Sequence, residues 1–205
     1  MPNARDIRLR SDHIHLQRLA AGSGGTLLVE HTRGNPPDEY ILVYKCRTIE
    51  RLDKGRPVYR SFNRVEIKLP ARYPAPFDAP KARMLTPLWH PHVYKNLVIC
   101  MGTWTTSEYL DAFALRLGAL LQFEKEFFDI RDPANEEAID WARRNLLLFP
   151  TDACTFRDDP AERLPAPASF TPLMPLPASK PAQMDEDHRL ASSVGSEGIL
   201  WEDLI

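Results

Sequence analysis

The 205 residues, 43% hydrophobic and 26% charged, supply apolar material for one sizeable core and a tail but not for two full domains. A net charge of −2 excludes a broad basic footprint, so no nucleic-acid partner is expected. No run approaches the ~18 apolar residues of a membrane span, and the charged start MPNARDIRLRSDHIHLQRL lacks the apolar stretch of a secretory signal. Three cysteines without framework spacing argue against a disulfide scaffold, and a membrane-free, cytoplasmic protein is the expectation.

In chain order, Ile7, Leu9, Ile14, Leu16 and Leu19 form an imperfect helical stripe on a basic segment that ends at GSGG, residues 22–25. TLLVEHT, EYILVYKCRTIE and SFNRVEIKLP then read as strands, separated by the turn-rich GNPPDE and LDKGRPVY, which makes an antiparallel meander the expectation. LPARYPAPFDAP is too rich in proline for regular structure, and KARMLTP supplies a short fourth strand. From Ser107, an N-cap candidate, Leu110, Phe113, Ala114, Leu117, Leu120 and Leu121 describe the stripe of a core-facing helix. A second helix is expected from Asn135 to Arg144, with acids at its start and arginines at its end as the helix dipole favours. From about Pro150 onward, proline, alanine, serine and charge dominate, so residues 1–149 read as one domain and 150–205 as a flexible tail. The tail ends in GILWEDLI, whose apolar bulk beside Glu202 and Asp203 suits either a short docking segment or an unremarkable terminus.

The chemistry concentrates in WHPHVYKNLVICMGTW, residues 89–104. Pro91 fixes its own φ and pushes His90 out of the helical region, so the turn presents His90 and His92 in a restricted geometry. The apolar run Leu97, Val98 and Ile99 should bury and hold Cys100, while MGTWTT leaves one side open. A thiol attacks only as thiolate, so a histidine or polar donor nearby would raise its reactivity, and His92 is the candidate. The same cysteine also reads as a small buried apolar residue.

The order of basic helix, meander, LPxxYP at Leu69 to Pro74, HPH turn, Cys100 eight residues after His92, Trp104 and a DPAN box at residues 132–135 resembles the ubiquitin-conjugating (E2) enzymes over roughly residues 5 to 148. The resemblance implies an α+β, UBC-like fold: a four-stranded antiparallel meander with an N-terminal helix and helices after the cysteine. It implies no cofactor. By the same resemblance Cys100 takes an activated ubiquitin-like C-terminus from an E1 adenylating enzyme as a thioester and passes it to a lysine or other nucleophile of a target. Asp132 falls where many members carry an acid that orients or deprotonates the attacking amine, and it reads equally well as a helix-capping carboxylate. Trp104, Tyr73 and Pro74 are implied to be scaffold.

The departures narrow the reading. Most members carry asparagine where this chain has His92. An imidazole can donate a hydrogen bond to developing negative charge, and one titrating near ~6.5 can serve as a weak base; a structural role fits as well. The usual pattern after the cysteine is replaced by MGTW. These departures, together with an Arg-, Ala- and Pro-rich composition, resemble bacterial E2-like proteins of ubiquitin-like conjugation and antiphage systems, in which the modified partner is a ubiquitin-like protein or a cGAS-like nucleotidyltransferase. Arg5, Arg8, Arg10 and Arg18 would suit an acidic surface on an E1-like partner or simply form a solvated face. An inactive E2-like scaffold, a metal site from His90, His92 and Cys100, and a Cys–His thiol protease are the alternative readings.

Overall fold

The computed structural model describes residues 3–124, 133–151 and 154–156. Asp132 and most of the expected tail, including GILWEDLI, lie outside the described residues.

Helix α1 (Ala4–Gly22) starts at Asn3, whose side chain accepts from the Asp6 N–H. The imperfect stripe resolves into two faces. Leu9 and Leu16 are fully buried, whereas Ile7 and Ile14 point outward, 58% and 48% exposed. Asp12 is the third buried residue of this helix. Two of the four arginines of α1 are engaged internally: Arg5 pairs with Asp38 and donates to the Leu69 and Pro70 carbonyls, and Arg8 pairs with Asp12. Only Arg10 and Arg18 are classed as exposed.

Strands β1 (Leu27–Gly34), β2 (Pro37–Tyr44), β3 (Thr48–Asp53), β4 (Arg56–Arg60), β5 (Asn63–Lys68) and β6 (Lys81–Met84) follow. Four of them form one antiparallel sheet in the order β1-β2-β5-β6, the expected meander. The register sets Leu42 opposite Val65 and Val65 opposite Met84, so a continuous apolar row faces inward.

LDKGRPVY differs from its reading as a connector. Only Lys54 and Gly55 form the turn, both at positive φ, as a two-residue hairpin requires; the flanking residues pair as β3 and β4. The buried Asn63 sets where this hairpin leaves the sheet, donating to the Cys46 carbonyl and accepting from the Thr48 hydroxyl. The hairpin builds a second small core in which Ile49 packs with Phe123, Trp141 and Ala142.

Helix α2 (Leu110–Leu121) lies where its stripe predicts, with Leu110, Phe113, Ala114, Leu117, Leu120 and Leu121 all buried. Its cap is not Ser107, whose hydroxyl instead meets that of Thr105 at 3.0 Å. Tyr109 occupies the cap position without a side-chain hydrogen bond, and the Leu110 N–H donates to Asp12 Oδ1 at 3.0 Å. A carboxylate from α1 thus caps α2 from across the core. Helix α3 (Glu136–Arg144) agrees with expectation: Asn135 caps it by accepting from the Ala138 N–H, and Trp141 Nε1 ties it to the Gly55 carbonyl at 3.0 Å. A 3-10 turn, Leu146–Leu148, follows.

The chain past Pro150 still contributes to this unit. Gln122 exchanges two hydrogen bonds with the Cys154 backbone, Thr26 donates to the Thr155 carbonyl, and Phe156 packs edge-on against Tyr44. Phe156 also occupies the space a Cβ on Gly118 would need, with ring atoms 2.5 Å from that position. The packed region therefore takes in residues beyond the boundary placed at residue 149.

Asp12→Ala should remove about 3–5 kcal/mol of stability, because it takes the carboxylate partner from Arg8 and the acceptor from the Tyr73 hydroxyl and uncaps a buried helix end; urea denaturation checks this. Gly118→Ala should cost about 1–3 kcal/mol by displacing the Phe156 ring, read as a lowered Tm.

Candidate functional site

Pro91 sits inside a turn closed by the Val93 N–H donating to the His90 carbonyl at 3.1 Å. Here the side chain of His90 turns back on the chain: its Nδ1 accepts from the His92 N–H at 3.0 Å. With Nδ1 as acceptor, the neutral ring carries its proton on Nε2. His90 is fully buried, 4.3 Å from Phe123 between ring centres. Burial pushes its pKa down to about 3; His92 adds to the shift and the Leu120 carbonyl opposes it. His90 is a packing residue of the turn and stays neutral until about pH 3.

From the turn the chain runs into a small hairpin. Val93 bridges Ile99, the Tyr94 N–H donates to the Val98 carbonyl, and the Cys100 N–H donates to the His92 carbonyl at 2.8 Å. This register makes His92 and Cys100 direct cross-strand neighbours, a relation that ordinarily sets Cβ atoms about 4.5–5.5 Å apart on the same face. Val93 and Ile99 take the opposite face and are buried, which turns the His92 and Cys100 pair toward the outside of the core. His92 is 7% exposed and Cys100 is half-buried. On its far side the same segment pairs with β6, the Ile99 N–H donating to the Ala82 carbonyl at 3.0 Å. The cysteine therefore follows directly on a sheet edge.

Two further elements brace the pair. The Asn135 N–H, at the start of α3, donates to the Pro91 carbonyl at 2.9 Å, and the Trp89 N–H donates to the Ile49 carbonyl of β3 at 2.7 Å. A groove of about 380 Å³ opens along the segment that carries the cysteine, lined by its neighbours rather than by Cys100 itself. Ile99 and Met101, its two chain neighbours, line it with Phe77, Pro80, Val98 and Trp104. Phe77 stands fully exposed on the groove, and Trp104 packs on Tyr73 with ring centres 5.6 Å apart.

Of the residues singled out in the sequence, Cys100 and His92 come together, while Asp132 lies outside the described residues. Among the described residues no cluster of three or more His, Cys, Asp or Glu side chains is placed to hold a metal ion, and no helix is long and apolar enough to cross a membrane. The sequence reading missed Arg116. Its guanidinium donates to the Met101 and Thr103 carbonyls just after the cysteine, at 2.7 and 2.9 Å, and grips Glu108 with two further bonds of 3.0 Å. Backbone acceptors leave no signature in side-chain identity, so the sequence offered no signal for this contact.

No protein-family profile matches the chain, and no curated protein matches it in sequence. Its fold is similar to the crystal structure of a protein assigned as a ubiquitin conjugating enzyme from Plasmodium yoelii. The two are 20% identical, with a TM-score of 0.52, over 77% of this chain and 95% of that one. At that identity the likeness is one of fold, and it establishes the α+β, UBC-like architecture: N-terminal helix, four-stranded antiparallel sheet, later helices.

Burial of the neutral His90 makes a pH dependence of stability. In the unfolded chain an imidazole titrates near ~6.5, so below that value the unfolded state binds a proton that the folded state refuses until about pH 3. The contribution is complete above about pH 6.5 and is lost as pH falls toward 3. His90→Asn, which retains an acceptor for the His92 N–H, should flatten the stability curve in this window relative to the parent. Urea midpoints at about pH 4.5 and about pH 7.5 measure it, and an unchanged slope would exclude His90 as the titrating group.

Proposed function

We propose that the chain is an E2-like acyl carrier. Cys100 accepts the activated C-terminus of a ubiquitin-like protein, or of a cGAS-like nucleotidyltransferase, from an E1-like adenylating enzyme, and passes it to a lysine or other nucleophile of a target. The setting is the cytoplasm of a bacterium, in a conjugation or antiphage system, as the departures in the sequence suggest. The observation that carries the reading is the cross-strand pairing of His92 with a half-buried Cys100 at a sheet edge of a UBC-like fold.

In the first step the Cys100 thiolate attacks the carbonyl carbon of the thioester that the modifier forms with the E1-like enzyme. A new C–S bond forms, the old one breaks, and the departing thiolate takes up the proton that Cys100 released. In the second step a target amine attacks the same carbon, loses a proton as the amide forms, and expels Cys100 as thiolate. Both steps develop negative charge on the carbonyl oxygen, and an imidazole N–H opposite the sulfur is suited to stabilise it. The groove beside Ile99 and Met101 suits an extended C-terminal segment of the incoming protein. Asp132 is proposed to orient or deprotonate the attacking amine. The other two thiols are less suited: Cys46 is buried, and Cys154 donates its S–H to the Lys45 carbonyl.

With a cognate E1, ATP and modifier, Cys100→Ser should yield a thiol-resistant oxyester in place of a thiol-sensitive adduct. Cys100→Ala should abolish charging without unfolding the chain. Mass spectrometry with and without reductant reads both, and normal charging of the alanine variant excludes this nucleophile. An active E1 and modifier that leave the parent chain uncharged would favour the inactive-scaffold reading instead. His92→Asn should preserve transfer if the side chain only donates a hydrogen bond, whereas a fall of about 10²-fold or more would assign acid/base work.

A further inference from the structure

Residues 101–107 contain no helix or strand and are largely exposed, yet this loop has to carry the chain from Cys100 to the start of α2. Its ends are fixed. The Cys100 N–H is held by the His92 carbonyl, and the Leu110 N–H is held by Asp12. Between them, four carbonyls are gripped by arginine side chains from the two helices that flank the loop. Arg116 of α2 takes those of Met101 and Thr103, and Arg8 of α1 takes those of Thr106 and Glu108.

Glu108 links the two clamps. Its backbone carbonyl accepts from Arg8, while its carboxylate holds Arg116 through Nε–Oε1 and Nη2–Oε2, both at 3.0 Å. The Arg116 and Glu108 side chains are only 18% and 16% exposed, so the pair is sheltered from much of the screening that weakens surface ion pairs. A planar guanidinium spans this set of acceptors because two nitrogens fork onto one carboxylate while the third reaches two carbonyls. An ammonium has neither the reach nor the plane to do both. Met101 is the residue after the cysteine, and Gly102 then takes a φ of +66°, a conformation a side chain would resist. Without the clamp nothing in the backbone pairing would hold this bend in place.

We propose that Arg116, oriented by Glu108, is a positioning residue for Cys100. By holding the Met101 and Thr103 carbonyls it fixes how the sulfur is presented beside His92. The assignment rests on the carrier reading only for its significance in group transfer, since the reactivity of the thiol itself can be read without any partner.

The test compares the parent chain with Arg116→Lys, Glu108→Gln and the double variant. The first readout is the rate at which iodoacetamide alkylates Cys100 across pH, resolved by peptide so that Cys46 and Cys154 are counted apart. The second is single-turnover thioester formation with an E1-like enzyme and modifier at saturation. Arg116→Lys should shift the alkylation rate or its pH midpoint and lower the saturating single-turnover rate constant of charging about tenfold, since small misplacements of a reacting atom are expensive in rate. The double variant should add little to the larger single effect, because the two side chains act as a unit.

Near-UV circular dichroism checks the fold, and Glu108→Gln, nearly isosteric, stands in if Arg116→Lys does not fold. Parent-like alkylation and charging in folded variants would overturn the proposal. So would unfolding of both single variants, which would make the pair a stability element. Altered alkylation in a chain that no active E1 charges would sink the carrier reading and leave the positioning role intact.

Discussion

One buried carboxylate, Asp12, joins α1, the Tyr73 segment and α2 at a single point. It sits on α1 with no solvent exposure, accepts from Arg8 and from the Tyr73 hydroxyl through Oδ2 at 2.9 and 2.7 Å, and caps α2 at the Leu110 N–H through Oδ1. Three elements distant in sequence therefore meet at one side chain. A buried charge is tolerated only when its lone pairs are satisfied, and here donors from three directions satisfy them. The same carboxylate helps keep the Tyr73 phenol protonated: burial of the ring pushes its pKa up, and the hydrogen bond to Asp12 adds to the rise.

The consequence reaches the cysteine. Asp12 fixes where α2 begins, α2 carries Arg116, and Arg116 holds the loop that follows Cys100. From the other side, the turn at Pro91 is anchored to α3 through Asn135 and to the β3 strand through Trp89. The thiol thus stands where several constraints converge, although little of its immediate neighbourhood is regular secondary structure. Its flanks are held by packed elements, which is how irregular backbone comes to present a reactive group at a defined place.

The inserted hairpin of β3 and β4 serves the same end at a different point. Its buried face closes a second core with α3, Trp89 and Phe149, so the residue before the HPH turn packs against that core and is tied to β3 through its N–H. LDKGRPVY did not announce this. Its turn residues are real, but they occupy only the tip at Lys54 and Gly55, and the strands on either side are short and mixed in polarity. Short polar strands carry weak period-2 signals, and tertiary packing against Trp141 decides them.

Where local periodicity and turn chemistry govern, the sequence by itself determined the outcome. It placed α1, the four sheet strands in their order, the burial stripe of α2, the span of α3, and the turn at Pro91 that precedes Cys100. Only the tertiary structure decided which face of α1 is buried, that α2 is capped by Asp12 rather than by Ser107, that Arg8 and Arg116 hold the loop after the cysteine, and that Phe156 returns to fill the space over Gly118. The reason is common to all four. Each depends on a partner far along the chain, and in several cases that partner is a backbone group, which every residue carries and no sequence pattern distinguishes.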